Sequence, residues 1–149
     1  MKIDVQAGFL ITKIKHLSGR IFARMLKEHE IEINPAQGRI MFVLWQEEPL
    51  PISELSKRTG LGKSTLTSML DRLEASGFLV RERSDTDRRT VLVKRTPKDR
   101  ALQKHYEEVS REMGDLYYTG LSKQEIRQFE ETLLKILSNL TEYEQQVST

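Results

Sequence analysis

The chain of 149 residues carries 24 lysine and arginine side chains against 22 aspartate and glutamate side chains, and its length fits one domain, or one small domain with helical extensions. It has no cysteine, which excludes disulfide frameworks, cysteine-ligated zinc, iron–sulfur clusters, cysteine nucleophiles and thiol-based oxidant sensing. No segment approaches the roughly 18 to 20 apolar residues of a membrane span or has the pattern of a secretion signal, so we expect a soluble, cytoplasmic protein with no membrane partner.

The first predicted element is a long amphipathic helix over residues 4–29, which contain no proline. Apolar residues recur there at steps of three and four, the spacing of one helical face. At about 1.5 Å per residue the helix would be about 40 Å long, more than a small globular domain needs. The apolar face carries Leu10, Ile14, Leu17, Ile21 and Met25.

A second helix is predicted to begin at Asn34-Pro35-Ala36-Gln37. Asn34 has the side chain of a helix cap, Pro35 suits the first helical position, and Gln37 is placed to bond back to the cap. Pro49 stops this helix, because proline cannot continue the hydrogen-bond ladder.

Two short helices follow, the first from near Pro51 to Gly60 and the second closed by Gly77. Their close succession across a glycine-containing turn predicts a helix-turn-helix. At 100° per residue the apolar side chains of the second helix fall on one side, and its hydroxyl and charged side chains fall on the other. The apolar side carries Leu66, Met69, Leu70 and Leu73.

The pattern then changes to that of a β-hairpin. Two β-prone runs, FLVRER and TVLVKR, are separated by SDTDRR, which is rich in turn-forming residues. From Thr96-Pro97 onward the helical spacing returns, and a capping box, Ser122 to Glu125, predicts the start of a last helix.

The last helix keeps an average apolar spacing of 3.5 residues over three heptads, which is typical of a surface that packs on another helix. Together with the overlong first helix, this seam favours a homodimer. The predicted interface residues are Leu10, Ile14, Ile126, Phe129, Leu133, Ile136 and Leu140.

Charge is concentrated in the middle of the chain. Residues 51–100 hold 12 basic and 7 acidic side chains, a net charge of +5, whereas the rest of the chain holds 12 and 15, a net charge of −3. A basic segment between acidic flanks suggests a polyanion-binding surface, although helical proteins also acquire such uneven faces by chance.

The stretch LGKSTLTSMLDRLEASGFLVRERSDTDRRTVLVKRTP resembles the MarR family, the multiple-antibiotic-resistance-type transcription regulators. The order of helices is similar over almost the whole chain. Two positions depart from the pattern, which commonly has Leu and Gly where this chain has Arg95 and Asp99. The matching pieces are the Thr-rich start of the second helix-turn-helix helix, Asp71-Arg72-Leu73-Glu74, Gly77-Phe78-Leu79-Val80, Arg83 and Asp87-Arg88-Arg89.

The resemblance implies a homodimer in which each subunit presents a recognition helix to the major groove and a wing to the minor groove of a pseudo-palindromic DNA operator. We therefore expect a mainly α fold with a small β-hairpin wing, a winged helix-turn-helix with N- and C-terminal dimerisation helices. Helical dimerisation regions at 1–33 and 97–149 would flank a DNA-binding domain at 34–96.

The predicted DNA contacts have the chemistry that groove recognition needs. Short hydroxyl side chains let a helix approach the groove floor, and arginine suits a narrow minor groove. The resemblance implies that Asp87 holds the wing through an ion pair and that Arg89 enters the groove. Two plainer interpretations stay open: Ser64 and Thr65 could cap the helix, and the wing could be a solvated charged turn. The residues are Lys63, Ser64, Thr65, Thr67, Ser68 and Arg72 on the helix and Arg83, Asp87, Arg88 and Arg89 on the wing.

Asp71 is awkward on a surface that faces phosphates, so we expect it to pair with an arginine or to lie clear of the DNA.

Members of the family often bind small aromatic or phenolic acids near the dimer helices. His16 and Arg20 share one helical face and Met41 and Trp45 another, so they are candidates for such an effector pocket, although Met41 and Trp45 also suit a plain core.

The sequence predicts no catalytic residues, no metal site and no cofactor, since His16, His29 and His105 lack metal-ligand spacing. We expect a DNA-binding transcription regulator, a repressor released by a small aromatic ligand. The alternatives are a winged-helix protein-interaction module with an acidic partner, and a metal-responsive regulator that uses His29 or His105.

Overall fold

A computed structural model describes the backbone of residues 2–148 and the side chains of residues 6–148. The chain divides into two compact units, Met1–Met113 and Gly114–Thr149. Among the described residues, no helix combines the length and the apolar character that crossing a membrane requires.

The first unit begins with helix α1 (Lys2–Glu28), which matches the predicted long helix. Helix α2 (Pro35–Gln46) starts at the predicted capping box. The Gln37 amide donates to Asn34 Oδ1 at 2.8 Å, and Gln37 Oε1 accepts from the Asn34 amide at 2.9 Å. These two bonds satisfy backbone groups that the first helical turn would leave unpaired.

Strand β1 (Leu50–Pro51) leads into helices α3 (Ile52–Thr59) and α4 (Lys63–Ala75), which confirm the predicted helix-turn-helix. Gly60 ends α3 with φ 73°, and Gly77 follows α4 with φ 84°. Both angles lie in the left-handed region that glycine adopts without strain, so both helices end where the glycines stand.

Strands β2 (Leu79–Arg83) and β3 (Val91–Arg95) form the predicted hairpin, with Leu79 opposite Arg95 and Arg83 opposite Val91. The hairpin belongs to a three-stranded antiparallel sheet in the order β1-β3-β2. The sequence did not predict β1, because two residues between a proline and a helix carry no alternating pattern.

The C-terminal end of α4 is tied to the segment that follows β3. Lys98 Nζ donates to the Ser76 carbonyl at 2.7 Å and lies over the Phe78 ring, 5.1 Å from its centroid. The Thr96 hydroxyl donates to the Gly77 carbonyl. These contacts occupy the carbonyl groups that a helix leaves free at its C-terminus.

Helix α5 (Asp99–Tyr117) supplies Leu102, Tyr106 and Val109 to the core. Tyr106 packs edge to face against Phe22 of α1 and Trp45 of α2, with ring centroids 5.4 and 5.3 Å away. Gly38 lies so close to this ring that any Cβ there would overlap it. The other fully buried core side chains are Leu26, Ile40, Met41, Leu44, Leu55, Leu66, Leu70, Leu73, Leu79 and Val93.

The second unit contains helix α6 (Lys123–Val147), which begins at the predicted capping box. The Glu125 amide donates to Ser122 Oγ, and the Ser122 amide donates to Glu125 Oε1, both at 3.1 Å. None of the described residues of α6 is buried, although the helix carries a continuous apolar seam.

Candidate nucleic-acid interface

Helix α4 presents one apolar and one polar face, as its sequence predicts. Leu66, Leu70 and Leu73 are buried in the core and fix the rotation of the helix about its axis. The six side chains predicted to read DNA are all exposed; they are Lys63, Ser64, Thr65, Thr67, Ser68 and Arg72.

The hydroxyl groups at the start of α4 are free for an outside partner. Gly62 occupies the cap position and no side chain caps the helix, so Ser64 and Thr65 do not have the capping role that the sequence left open. Within the described part of the chain, the six side chains predicted to read DNA form no hydrogen bond or ion pair. Their donors and acceptors therefore remain available to base edges and phosphates.

Arg81 on β2 forms ion pairs with the acidic side chains of α4, Asp71 and Glu74. Its Nη2 lies 2.6 Å from Asp71 Oδ1, and its Nε lies 2.8 Å from Glu74 Oε1. Two hydrogen bonds raise the pKa of Arg81 above its ordinary value; the bond to Glu74 has the larger effect and the bond to Asp71 the smaller one. The expectation that Asp71 pairs with an arginine is confirmed, and the pairing also links the recognition helix to the first wing strand.

The wing turn is closed by Asp87. Its Oδ1 accepts from the Arg89 amide at 3.0 Å, and its Oδ2 accepts from the Thr90 hydroxyl at 3.2 Å. The resemblance implied an ion pair for Asp87; the carboxylate instead bonds within its own turn, where these donors lie two and three residues away. Asp87 therefore shapes the wing turn through hydrogen bonds to its own neighbours in the chain.

Three arginines of the wing have different surroundings. Arg83 Nη1 donates to the Arg88 carbonyl at 3.3 Å, and this bond stabilises the tip of the wing. The side chains of Arg88 and Arg89 are exposed and, among the described residues, have no hydrogen-bond or ion-pair partner. Arg88 and Arg89 are thus the wing cations that are free to meet an anion.

Recognition helix and wing meet at one groove of about 360 Å³. Lys63 and Thr67 of α4 line it from one side, and Arg89 and Thr90 of the wing line it from another. Two cations and several hydroxyl groups therefore converge on a single surface. The other lining residues are Pro51, Ile52, Ser53, Ser56 and Val91.

The base of the wing holds a polar network that the sequence did not predict. Asp99 is completely buried, and its Oδ2 lies 2.5 Å from Nε of Arg95, the last residue of β3. The Trp45 indole N–H donates to both carboxylate oxygens, at 3.0 and 2.9 Å. The two positions that depart from the family pattern are therefore partners of each other, a relationship signalled only by opposite charges four residues apart.

The candidate effector residues fall in different environments. Met41 is completely buried in the core, in agreement with the alternative that the sequence left open. Trp45 is partly buried and is bonded to Asp99, whereas His16 and Arg20 are exposed on α1.

Another cavity, of about 480 Å³, is lined by His29 and His105 together with Phe78 and Lys98. His29 lies 3.2 Å from Glu112, and His105 lies 3.8 Å from Glu108. Over the described residues, no group of three or more His, Asp or Glu side chains is arranged to hold a metal ion.

Comparison with known proteins places these features in a family context. The sequence profile of the MarR family matches residues 33–91. The HTH-type transcriptional regulator TtmR of Methylorubrum extorquens is 33% identical over 93% of this chain and 69% of its own length. The organic hydroperoxide resistance transcriptional regulator of Bacillus subtilis is 32% identical over 94% of this chain and 92% of its own length.

Solved structures show the same architecture. A mutant MarR from E. coli, complexed with operator DNA, aligns with a TM-score of 0.80 and 26% identity over 89% of this chain and 94% of that one. The transcriptional regulator BldR from Sulfolobus solfataricus aligns with a TM-score of 0.83 and 29% identity over 91% and 95% of the two chains. These relatives are regulators of transcription and not enzymes.

Proposed function

Because this chain belongs to the MarR family of transcription regulators, we propose that it is a homodimeric, sequence-specific DNA-binding repressor that a small aromatic ligand releases from its operator. The groove shared by α4 and the wing carries this proposal. It gathers Lys63, Thr67 and Arg89 on one face, and none of these side chains is engaged elsewhere within the described chain.

The distribution of roles follows from the geometry of duplex DNA. The hydroxyl-rich start of α4 suits the major groove, where base edges present distinct donors and acceptors. Arg88 and Arg89 at the tip of the wing suit the narrower minor groove, where the negative potential is stronger. The complex of a mutant MarR with operator DNA supports DNA binding by this fold.

Exposed apolar side chains support the homodimer. Leu10 is 51% exposed and Ile14 43% exposed on α1, and Leu140 is 63% exposed on α6. A 25-residue helix without one buried residue gains its packing energy from a partner, since isolated helices are marginal in water. The other proposed interface residues are Ile126, Phe129, Leu133 and Ile136.

A dimer with two recognition helices would bind two half-sites about 34 Å apart, one turn of DNA. A ligand that favours one spacing of these helices over another must change the affinity for the operator. The proposed contact points for an aromatic acid are His16 and Arg20, which are exposed, and Trp45, which is partly buried; Met41 is completely buried in the core.

Selection from a pool of random duplexes tests the function directly. We expect recovery of pseudo-palindromic sequences with half-sites one turn apart, bound more weakly as salt rises. Recovery of no preferred sequence would reject the proposal, and binding of an acidic protein with no DNA preference would favour a protein-interaction module. Titration of phenolic acids against the selected complex then tests ligand release.

A further inference from the structure

The carboxylate of Asp99 has a complete set of partners although it is fully buried. Trp45 on α2 donates its single indole N–H to both oxygens, and the Arg95 guanidinium donates from the other side. Asp99 is the first residue of α5, so one carboxylate joins α2, α5 and the end of strand β3.

Arg95 is bonded to three groups outside the wing hairpin. Its amide donates to Glu48 in the turn after α2, its Nε donates to Asp99, and its Nη2 donates to Gln103 Oε1 at 2.5 Å. The side chain is only 20% exposed. The last residue of β3 is therefore fixed in position and in orientation.

A buried ion pair is a weak source of stability, because desolvation of both charges offsets their attraction. Its better-supported use is to define one geometry among several packed alternatives. The contacts therefore indicate that the pair of Asp99 and Arg95 orients the end of strand β3.

We infer that Asp99 is a positioning residue of the wing, which fixes the base of the hairpin through Arg95 and thereby sets where Arg89 meets DNA. This inference rests on the proposed function. Asp99 itself contacts no DNA in this arrangement, since it is buried behind Arg95 and Trp45.

The length of the hairpin makes the tip sensitive to its base. Strand β3 has five residues, which span about 17 Å at about 3.3 Å per residue. A rotation of about 10° at the base would move the tip by about 3 Å, more than the tolerance of a hydrogen bond. A small loss of order at Arg95 would therefore shift the tip of the wing relative to the DNA.

The test is a double-mutant cycle between Asp99 and Arg89 on the full-length protein, with the duplex selected above as probe. We expect Asp99→Asn to weaken binding about tenfold and to reduce the salt slope, because a displaced wing neutralises fewer phosphates. In the Arg89→Ala background the same change should have no further effect, because the side chain that it positions is already absent. Glu108→Gln, an exposed carboxylate on the same helix, is the matched control.

The spectroscopic readout is the emission of Trp45, the single tryptophan, which should shift in Asp99→Asn and not in the control. If Asp99→Asn fails to fold, the pair Arg95→Met with Asp99→Asn removes both charges together and should give the same non-additive loss. Equal losses in the two Arg89 backgrounds, or unchanged affinity and slope, would overturn the inference. A wild-type protein that binds no duplex would instead reject the proposed function.

Discussion

Arg81 and Asp71 form an ion pair of 2.6 Å between the first wing strand and the recognition helix, and Glu74 completes it on the next turn. The pair therefore has two effects, one mechanical and one electrostatic. It ties α4 to β2, and it compensates two carboxylates that would otherwise repel a polyanion.

Replacement of Arg81 by methionine keeps much of the side-chain volume and removes the charge. We expect DNA binding to weaken by about tenfold at low salt, because Asp71 and Glu74 become uncompensated next to phosphates, and the loss should shrink as salt screens them. Fluorescence anisotropy at two salt concentrations measures this. Adding Asp71→Asn and Glu74→Gln should restore most of the binding; failure to restore it would assign the effect to the mechanical link alone.

Arg89→Ala removes an exposed cation, unpaired among the described residues, from the wing tip. We expect operator affinity to fall more than tenfold, and the slope of log affinity against log salt to decrease by about 0.9 for each phosphate that is no longer neutralised. Arg127→Ala, an exposed arginine of α6, serves as control and should leave both quantities unchanged. Wild-type affinity and slope in Arg89→Ala would refute the assignment of the wing to DNA.

Leu140→Glu places a charge in the apolar seam of α6, where the side chain is 63% exposed in the single subunit. If the seam forms the dimer interface, burial of that charge becomes unfavourable and the dimer dissociates. Sedimentation at micromolar concentration should show monomers, whereas the neighbouring Thr141→Glu, on an exposed position, should remain dimeric. A dimeric Leu140→Glu protein would locate the interface elsewhere.

Tyr106 links stability to alkaline pH. Burial raises the pKa of its hydroxyl to about 12, against which Arg39 acts weakly in the opposite direction. The folded state thus holds this proton more firmly than the unfolded state, whose tyrosine ionises near pH 10. The contribution is complete below about pH 10 and is lost as pH rises toward about 12.

Denaturant unfolding at pH 9 and pH 11 compares wild type with Tyr106→Phe. We expect the wild type to lose more free energy of unfolding between these pH values, because the variant has no hydroxyl to ionise at this site. Tyr143→Phe, on an exposed position of α6, should match the wild type. Parallel losses in wild type and Tyr106→Phe would contradict the assignment.

Local signals in the sequence were sufficient for most of the fold. The capping boxes at Asn34 and Ser122 and the glycines at 60 and 77 act within a few residues, so their roles follow from the sequence alone. The exposed face of α4 follows from the buried positions of Leu66, Leu70 and Leu73. Each of these features depends on neighbours in the chain.

What the sequence did not yield depends on contacts between distant residues. Trp45 and Asp99 are 54 positions apart, and Arg81 reaches Asp71 and Glu74 only after the chain has turned at Gly77. The ion pair implied for Asp87 was wrong for a related reason. The Arg89 amide and the Thr90 hydroxyl, its neighbours in the chain, compete with any remote arginine for the carboxylate. The short strand β1 is fixed by pairing with Val93 and Leu92 and has no periodicity of its own.

The hydrogen bond from Lys98 to the Ser76 carbonyl connects the recognition helix to the chain that follows the wing. Through Thr96 and Lys98, the end of α4 is joined to the short segment that leads from β3 into α5. A displacement of this segment would accordingly be transmitted to the C-terminal end of α4.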